Sequence, residues 1–385
     1  MNAGRQTSLT TSAVRDWLVD RGEEATAVTM MRALRSQEAT VGTSQALILL
    51  ETLRSELSGA GPLQNLIKTR SVTDVLVNGS GQVWVDDGLG LRAVASPFET
   101  DEQVRRLAQR LAAAAGRRLD DSMPFCDAKL PDGTRLHACL SPVSRPGCLI
   151  SLRIPNRGSL TLDDLATTGS VPAAALPWLR ALIASRVSFL VSGGTGSGKT
   201  TVLGILLGLL PQHERLVILE DSAELNPDHL HTCALEGRPS NVEGSGRIAL
   251  SDLVRQAMRM RPDRLVVGEV RGPEVVDLLS ALNTGHEGGA CTVHASSAAS
   301  VPQRLEALAM TAGLDRYAAH AHIAGGLDVV VHLRRTLRAR EITGLAGLER
   351  DTDGLCHVRP LVTFADGVTV QDEEHDVVQR LRDHL

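Results

Sequence analysis

Apolar positions change period along the chain. Residues 1–58 carry helical spacing, clearest over 14–18 and 46–57, with few breakers. Gly59-Ala60-Gly61-Pro62 stops that pattern. From residue 72 the period falls to two. Residues 72–77 predict a strand, Asn78-Gly79 a turn, and 83–85 the return strand. Residues 101–115 return to the helical period and predict an amphipathic helix ending near Gly116. Pro131-Asp132-Gly133-Thr134 is a turn signal, and 135–140 then alternates as a strand. That alternation puts Arg135, His137 and Cys139 on one face and Leu136 and Ala138 on the other. A further strand is expected over 149–154. The expected organisation so far is a helical N-terminal segment, 1–58, and a mixed α+β domain, 59–154.

Pro155-Asn156-Arg157-Gly158-Ser159 predicts a linker over 155–160. Beyond it the strands stop alternating and become wholly apolar: 188–191, 216–219, 265–267, 290–293 and, later, 329–333. Helical patterns follow them at 199–210, 251–260, 273–283 and 298–312. Short apolar strands alternating with helices imply a parallel sheet covered on both faces, here a domain over 161–340. The remainder, 341–385, predicts a tail of a few short strands and a polar helix.

A net charge of −5 and an aromatic content of 2% argue against a nucleic-acid surface, which needs basic charge and stacking rings. The lysines are Lys68, Lys129 and Lys199; every other basic residue is Arg, so Lys199 stands out. The 6 cysteines are scattered without a C-x-x-C pair, which signals neither a zinc site nor a redox motif. No signal peptide is visible at 1–17, and the most apolar stretch, 202–210, is shorter than the ~20 residues a membrane span needs. A soluble, cytosolic protein is expected.

Strand 188–191 leads into Gly193-Gly194-Thr195-Gly196-Ser197-Gly198-Lys199-Thr200, followed by Thr201 and a helix. This is a phosphate-binding loop in its required context. Glycines let backbone N–H groups converge on phosphate, and the helix N-terminus adds a favourable dipole. Lys199 is expected on the β- and γ-phosphates of ATP, and Thr200 on Mg²⁺. The next strand ends in Glu220-Asp221-Ser222-Ala223-Glu224, which sets carboxylates where such sheets place ligands. Strand 265–267 ends in Gly268-Glu269, a single acid where two are usual. His286 and His294 bracket strand 290–293 and are expected to sense the γ-phosphate.

These segments resemble the ATPase superfamily of type II and type IV secretion systems, and within it the tight-adherence (Flp) pilus assembly ATPases. The resemblance rests on the loop, the acidic box 219–225, the run 258–264, the segment 265–271 and the His box 284–295. It extends to 72–79, 116–120 and 130–135 upstream, and covers about 55 to 335. Two departures are Ser296, where Asn is usual after Ala295, and the run 288–292.

The resemblance implies a RecA-like P-loop ATPase domain, α/β with a parallel sheet, preceded by the smaller α+β domain. It makes Gly-Glu normal for the third strand, with Glu269 the Mg²⁺-side carboxylate and Glu224 the base that activates water, supported by Glu220 and Asp221. Arg135 and Arg153 are the arginines expected to reach the nucleotide phosphates from the N-terminal domain, with Arg271 a further contact and Arg255, Arg259 and Arg261 candidates for relaying charge between subunits. It further implies a homohexamer that powers pilus assembly or protein secretion at the cytoplasmic face of the membrane, through an integral membrane platform protein. Two alternatives stand beside it: a nucleotide-gated scaffold with little hydrolysis, and a conjugation-type secretion ATPase.

Overall fold

The computed structural model describes residues 59–385 except 70, 89, 146, 156–159, 239–244, 337–338 and 365–366, together with 17, 20, 21, 29, 32, 33 and 36. Apart from those seven residues, all of them helical, the run expected over 1–58 lies outside the described residues, as does the centre of the expected linker. Two units separate, Met1–Arg157 and Gly158–Leu385.

The first unit runs α1 (Gln64–Lys68), β1 (Asp74–Asn78), β2 (Val83–Asp86), β3 (Leu91–Val94), α2 (Asp101–Ala114), β4 (Phe125–Lys129), β5 (Arg135–Cys139) and β6 (Leu149–Arg153). The strands form one antiparallel sheet in the order β3-β2-β1-β6-β5-β4. Helix α2 begins with Asp101 and Glu102, which suit the positive end of the helix dipole. Its buried stripe is Val104, Leu107, Ala108, Leu111 and Ala112, an i, i+3, i+4, i+7, i+8 pattern. That stripe shares a core with Val75, Val77, Leu136, Ala138, Ile150 and Leu152, the inward residues of β1, β5 and β6. Asp101 ties helix to sheet, accepting from the Cys148 N–H at 3.1 Å. The period of two leaves Asp74, Arg153 and Arg135 in one row on the other face, through the register Asp74↔Arg153↔Arg135.

The second unit opens with α3 (Leu162–Thr167) and α4 (Leu176–Ala184), then β7 (Phe189–Gly193), α5 (Lys199–Leu207), β8 (Leu216–Glu220), β9 (Thr232–Glu236) and α6 (Leu250–Ala257). It continues through β10 (Arg264–Val267), α7 (Glu274–Leu282), β11 (Ala290–His294), α8 (Val301–Thr311) and α9 (Arg316–Gly326). It closes with β12 (Val329–Arg335), β13 (Arg340–Arg350), β14 (Cys356–Thr363), β15 (Thr369–Val370) and α10 (Asp376–Arg382). One sheet takes all nine strands in the order β15-β14-β13-β12-β7-β11-β10-β8-β9. From β9 to β12 every pair is parallel.

Apolar strands buried on both faces explain the absence of alternation in the sequence. Phe189, Val191 and Ile218 face a core shared with α4, α5 and α10; Leu190, Leu219 and Val267 face one shared with α6 to α9. Residues 341–385 differ from the tail of short strands expected there. Strands β13 and β14 extend the sheet antiparallel from β12, and Val377, Val378 and Leu381 of α10 enter the core. Irregularities between His332 and Leu333 and between Leu345 and Ala346 break the period of two, which hid these strands.

Candidate functional site

Parallel strands deliver their carboxyl ends to one edge of the sheet, and there the chemistry collects. Gly193, last residue of β7, pairs directly with His294, last residue of β11. Beyond Gly193 the chain turns and enters α5 at Lys199. Gly198, at the helix start, holds φ 93°, a left-handed conformation that costs a residue with a Cβ. Lys199 is buried. Its Nζ donates to the Gly194 carbonyl at 3.2 Å and to His294 Nδ1 at 3.1 Å. The other imidazole nitrogen, His294 Nε2, lies 2.8 Å from Glu269 Oε1, close but outside hydrogen-bonding direction. Glu269 Oε2 accepts from the Arg271 guanidinium. Lysine, histidine, carboxylate and arginine thus stand in series beside the loop.

Burial alone would raise the Glu269 carboxyl; Arg271 first, then His294 and Lys199, hold it below the usual carboxylate range. Burial and the Lys199 charge both push His294 down, which favours the neutral imidazole that can accept from Lys199. Two buried oxygens beside the loop, Ser197 Oγ and Glu269 Oε1, have no hydrogen-bond partner among the described residues. The Ser197 hydroxyl can donate to a phosphate oxygen, and the open Glu269 carboxylate oxygen suits a divalent cation. Thr200 and Thr201 follow in the first turn of α5, both partly exposed.

The acidic box divides its tasks. Glu220 is buried, and its Oε1 accepts from the N–H groups of Glu224 at 3.0 Å and Leu225 at 3.1 Å. It therefore shapes the turn that presents Glu224, which is exposed. The same side chain explains Gly268: a Cβ there would stand 2.6 Å from Glu220 Cγ. Asp221 is exposed by area yet raised, first by desolvation and then by Glu274, with Arg271 opposing. Arg271 in turn is raised by its hydrogen bond to Glu269 and by the charges of Asp221 and Glu224. Arg271 is the cation around which three of the expected acids gather.

His286 is not brought to the loop. It precedes β11, whereas His294 ends it, and its Nδ1 sits 3.2 Å from the Ala281 carbonyl. At about 3.3 Å per residue, the strand carries the two histidines to opposite edges of the sheet. Arg255 makes exposed ion pairs with Asp277 at 3.5 Å and Asp252 at 3.7 Å, and Arg259 donates to the Arg255 carbonyl. Arg135 and Arg153 lie on the polar face of the first unit, beside Asp74, Asp127 and His137.

The run 258–264 ends in a buried charged group whose partners the sequence does not announce. Arg264, first residue of β10, is 2% exposed. It donates to Glu214 at 2.6 Å and to the carbonyls of Gly288 and Ile183 at 3.2 Å each. Arg186 holds the other Glu214 oxygen at 2.6 Å. Gly288 must be small because a Cβ would fall 1.9 Å from the Arg264 guanidinium. Arg264→Met is expected to cost about 3–5 kcal/mol, since it leaves buried Glu214 half-paired. Chemical denaturation reads this directly; an unchanged midpoint would show that Arg264 contributes no net stability.

A family model described as type II/IV secretion system protein matches residues 56–354. The chain belongs to the type II/IV secretion system protein family. A Mycobacterium tuberculosis (strain H37Rv) protein named for conjugal transfer is 48% identical over 320 residues, covering 82% of this chain and 91% of its own. Conjugal transfer protein TrbB of Rhizobium radiobacter is 32% identical over 72% of this chain and 84% of its own. Among solved structures, the Yersinia pseudotuberculosis ATPase DotB superposes with a TM-score of 0.53 at 18% identity, covering 77% of this chain and 76% of its own, a likeness of fold. Family membership agrees with the α/β fold.

Proposed function

We propose that this secretion-family chain is an ATP-hydrolysing motor that powers pilus assembly or protein secretion through a membrane platform. The observation that carries the reading is the series Lys199–His294–Glu269–Arg271 beside a glycine-rich strand-to-helix turn. Lys199 would grip the β- and γ-phosphates, and the loop N–H groups would hold the rest of the tail. Glu224, presented by Glu220, would take a proton from the attacking water. Mg²⁺, when bound, would be held by Thr200 on the loop side with Glu269 behind it, and would neutralise phosphate charge.

Finer assignments rest on the resemblance. These are the tight-adherence (Flp) subfamily, a homohexamer and a place at the inner face of the membrane. Among the described residues no helix is long and apolar enough to cross a membrane. The conjugal-transfer names of two relatives favour a second reading, a conjugation-type secretion ATPase. The net charge of −5 weighs against DNA contact by this chain itself. Phosphate release with and without the platform's cytoplasmic segment separates a motor from a nucleotide-gated scaffold. Stimulation supports the motor; stoichiometric ATP binding with no turnover in either mixture would leave the scaffold.

Arg135 is proposed to act on the nucleotide from the first unit, with Arg153 in support. Arg135→Ala is expected to lower turnover about a hundredfold while thermal melting and ATP binding persist. Lysine should rescue poorly, because it lacks the planar fork that grips phosphate oxygens. Full turnover in a well-folded Arg135→Ala protein would move the role to Arg153.

A further inference from the structure

The glycine-rich loop has two flanks in the sheet, β11 on one side and β12 on the other. On the β11 side stand His294 and Glu269. On the other, Gly193 pairs with Leu333 of β12, and β12 continues into an arginine-rich hairpin with β13. The Thr336 N–H donates to the Ala339 carbonyl at 2.8 Å, and the Ala339 N–H donates to Thr336 Oγ1 at 3.0 Å. This turn fixes Arg335 directly opposite Arg340.

Both arginines lean on the loop. A Cβ built on Gly196 would fall 2.9 Å from Arg335 Nη1, and one on Gly198 would fall 3.5 Å from Arg340 Cδ. Both guanidinium-bearing residues are exposed, and among the described residues neither side chain has an ion pair or a hydrogen bond. Arg334, next along β12, differs: it pairs with Glu341 at 2.8 Å. Like charges directly opposite on a hairpin repel, so the pair is unfavourable until an anion lies between them. The anion that fits is the one the adjacent loop is built to hold.

We propose that Arg335 and Arg340 form a second phosphate clamp, closing on the phosphate tail of a bound nucleoside triphosphate from the β12 side while Lys199 holds it from within. The inference deepens the ATPase reading and rests on it. Two guanidinium groups supply fork-shaped donors to phosphate oxygens that Lys199, a point charge, cannot reach. Their contacts depend on phosphate charge, so they favour ATP and ADP over adenosine.

The test is titration calorimetry of the purified full chain with ATP, ADP and adenosine, in the presence of Mg²⁺ and at two salt concentrations. Arg335→Ala/Arg340→Ala should weaken ATP and ADP binding by roughly tenfold or more and flatten its salt dependence. Arg334→Ala, on the same hairpin, should bind like the wild type. Apo melting of the double variant should be unchanged or higher, since a repulsive pair has been removed. Equal ATP affinity in wild type and double variant would overturn the clamp and leave the ATPase reading intact. An equal loss in Arg334→Ala would also overturn it, because general charge rather than a placed pair would then be responsible. A wild-type protein that binds no ATP would overturn the ATPase reading, and the clamp with it.

Discussion

Glu269→Gln is expected to bind ATP and to release phosphate at least about a hundredfold more slowly than the wild type. The substitution keeps the shape of the side chain and removes its charge. That charge stands 2.8 Å from His294 and is kept below the usual carboxylate range chiefly by Arg271. Without it the cation end of the site loses its counter-charge, and Arg271 is released toward Asp221 and Glu224. Glu224→Gln should give the same loss for a different reason, since Glu224 would no longer accept the proton of the attacking water. The two can be told apart by metal dependence: raising Mg²⁺ should recover part of the Glu269→Gln loss and none of the Glu224→Gln loss. Normal phosphate release in both variants would make these acids structural and place the base elsewhere.

Lys199→Ala is expected to lower turnover by about two to three orders of magnitude or more, the cost of removing one preorganised donor from a developing charge. Lys199 is buried, and its ammonium fits between the Gly194 carbonyl and His294 Nδ1. A compact cation is needed there. Lys199→Arg should therefore also fail, although every basic residue other than Lys68, Lys129 and Lys199 is Arg. Thermal melting serves as the control, because Lys199→Ala leaves two acceptors without their donor. Near-normal turnover in a folded Lys199→Ala protein would remove Lys199 from the chemistry.

Much of the second unit was legible because its strands are short, apolar and followed by helices. The expected strand starts at 216, 290 and 329 agree with the observed ones. Strand β9 was missed. Thr232–Glu236 is an edge strand with no buried residue, so it carries neither an apolar run nor a clean alternation. Helix α9 was missed as well. Its Gly325 and Gly326 read as breakers, yet they let α9 approach Asn283 and Leu279 closely, where a Cβ would collide.

At the site, the loop was legible because its glycines, lysine and threonine sit at fixed spacing on local backbone. The tasks of the acids were not. Glu220 belongs to the backbone of 224–225, a fact that depends on how the turn closes. His286 and His294 look equivalent in sequence because both border a strand; only the strand's direction separates them. Arg264 and Glu214 are partners across 50 residues, and Arg335 reaches Gly196 across 139, so neither leaves a local trace.

Phosphate release from the purified full chain with MgATP, beside Lys199→Ala under identical conditions, tests most directly whether this secretion-family protein hydrolyses ATP. Steady multiple-turnover release that needs Mg²⁺ and is abolished in Lys199→Ala is the expected result. A wild-type protein that binds ATP but releases no more phosphate than Lys199→Ala, alone or with the proposed membrane platform, would contradict it.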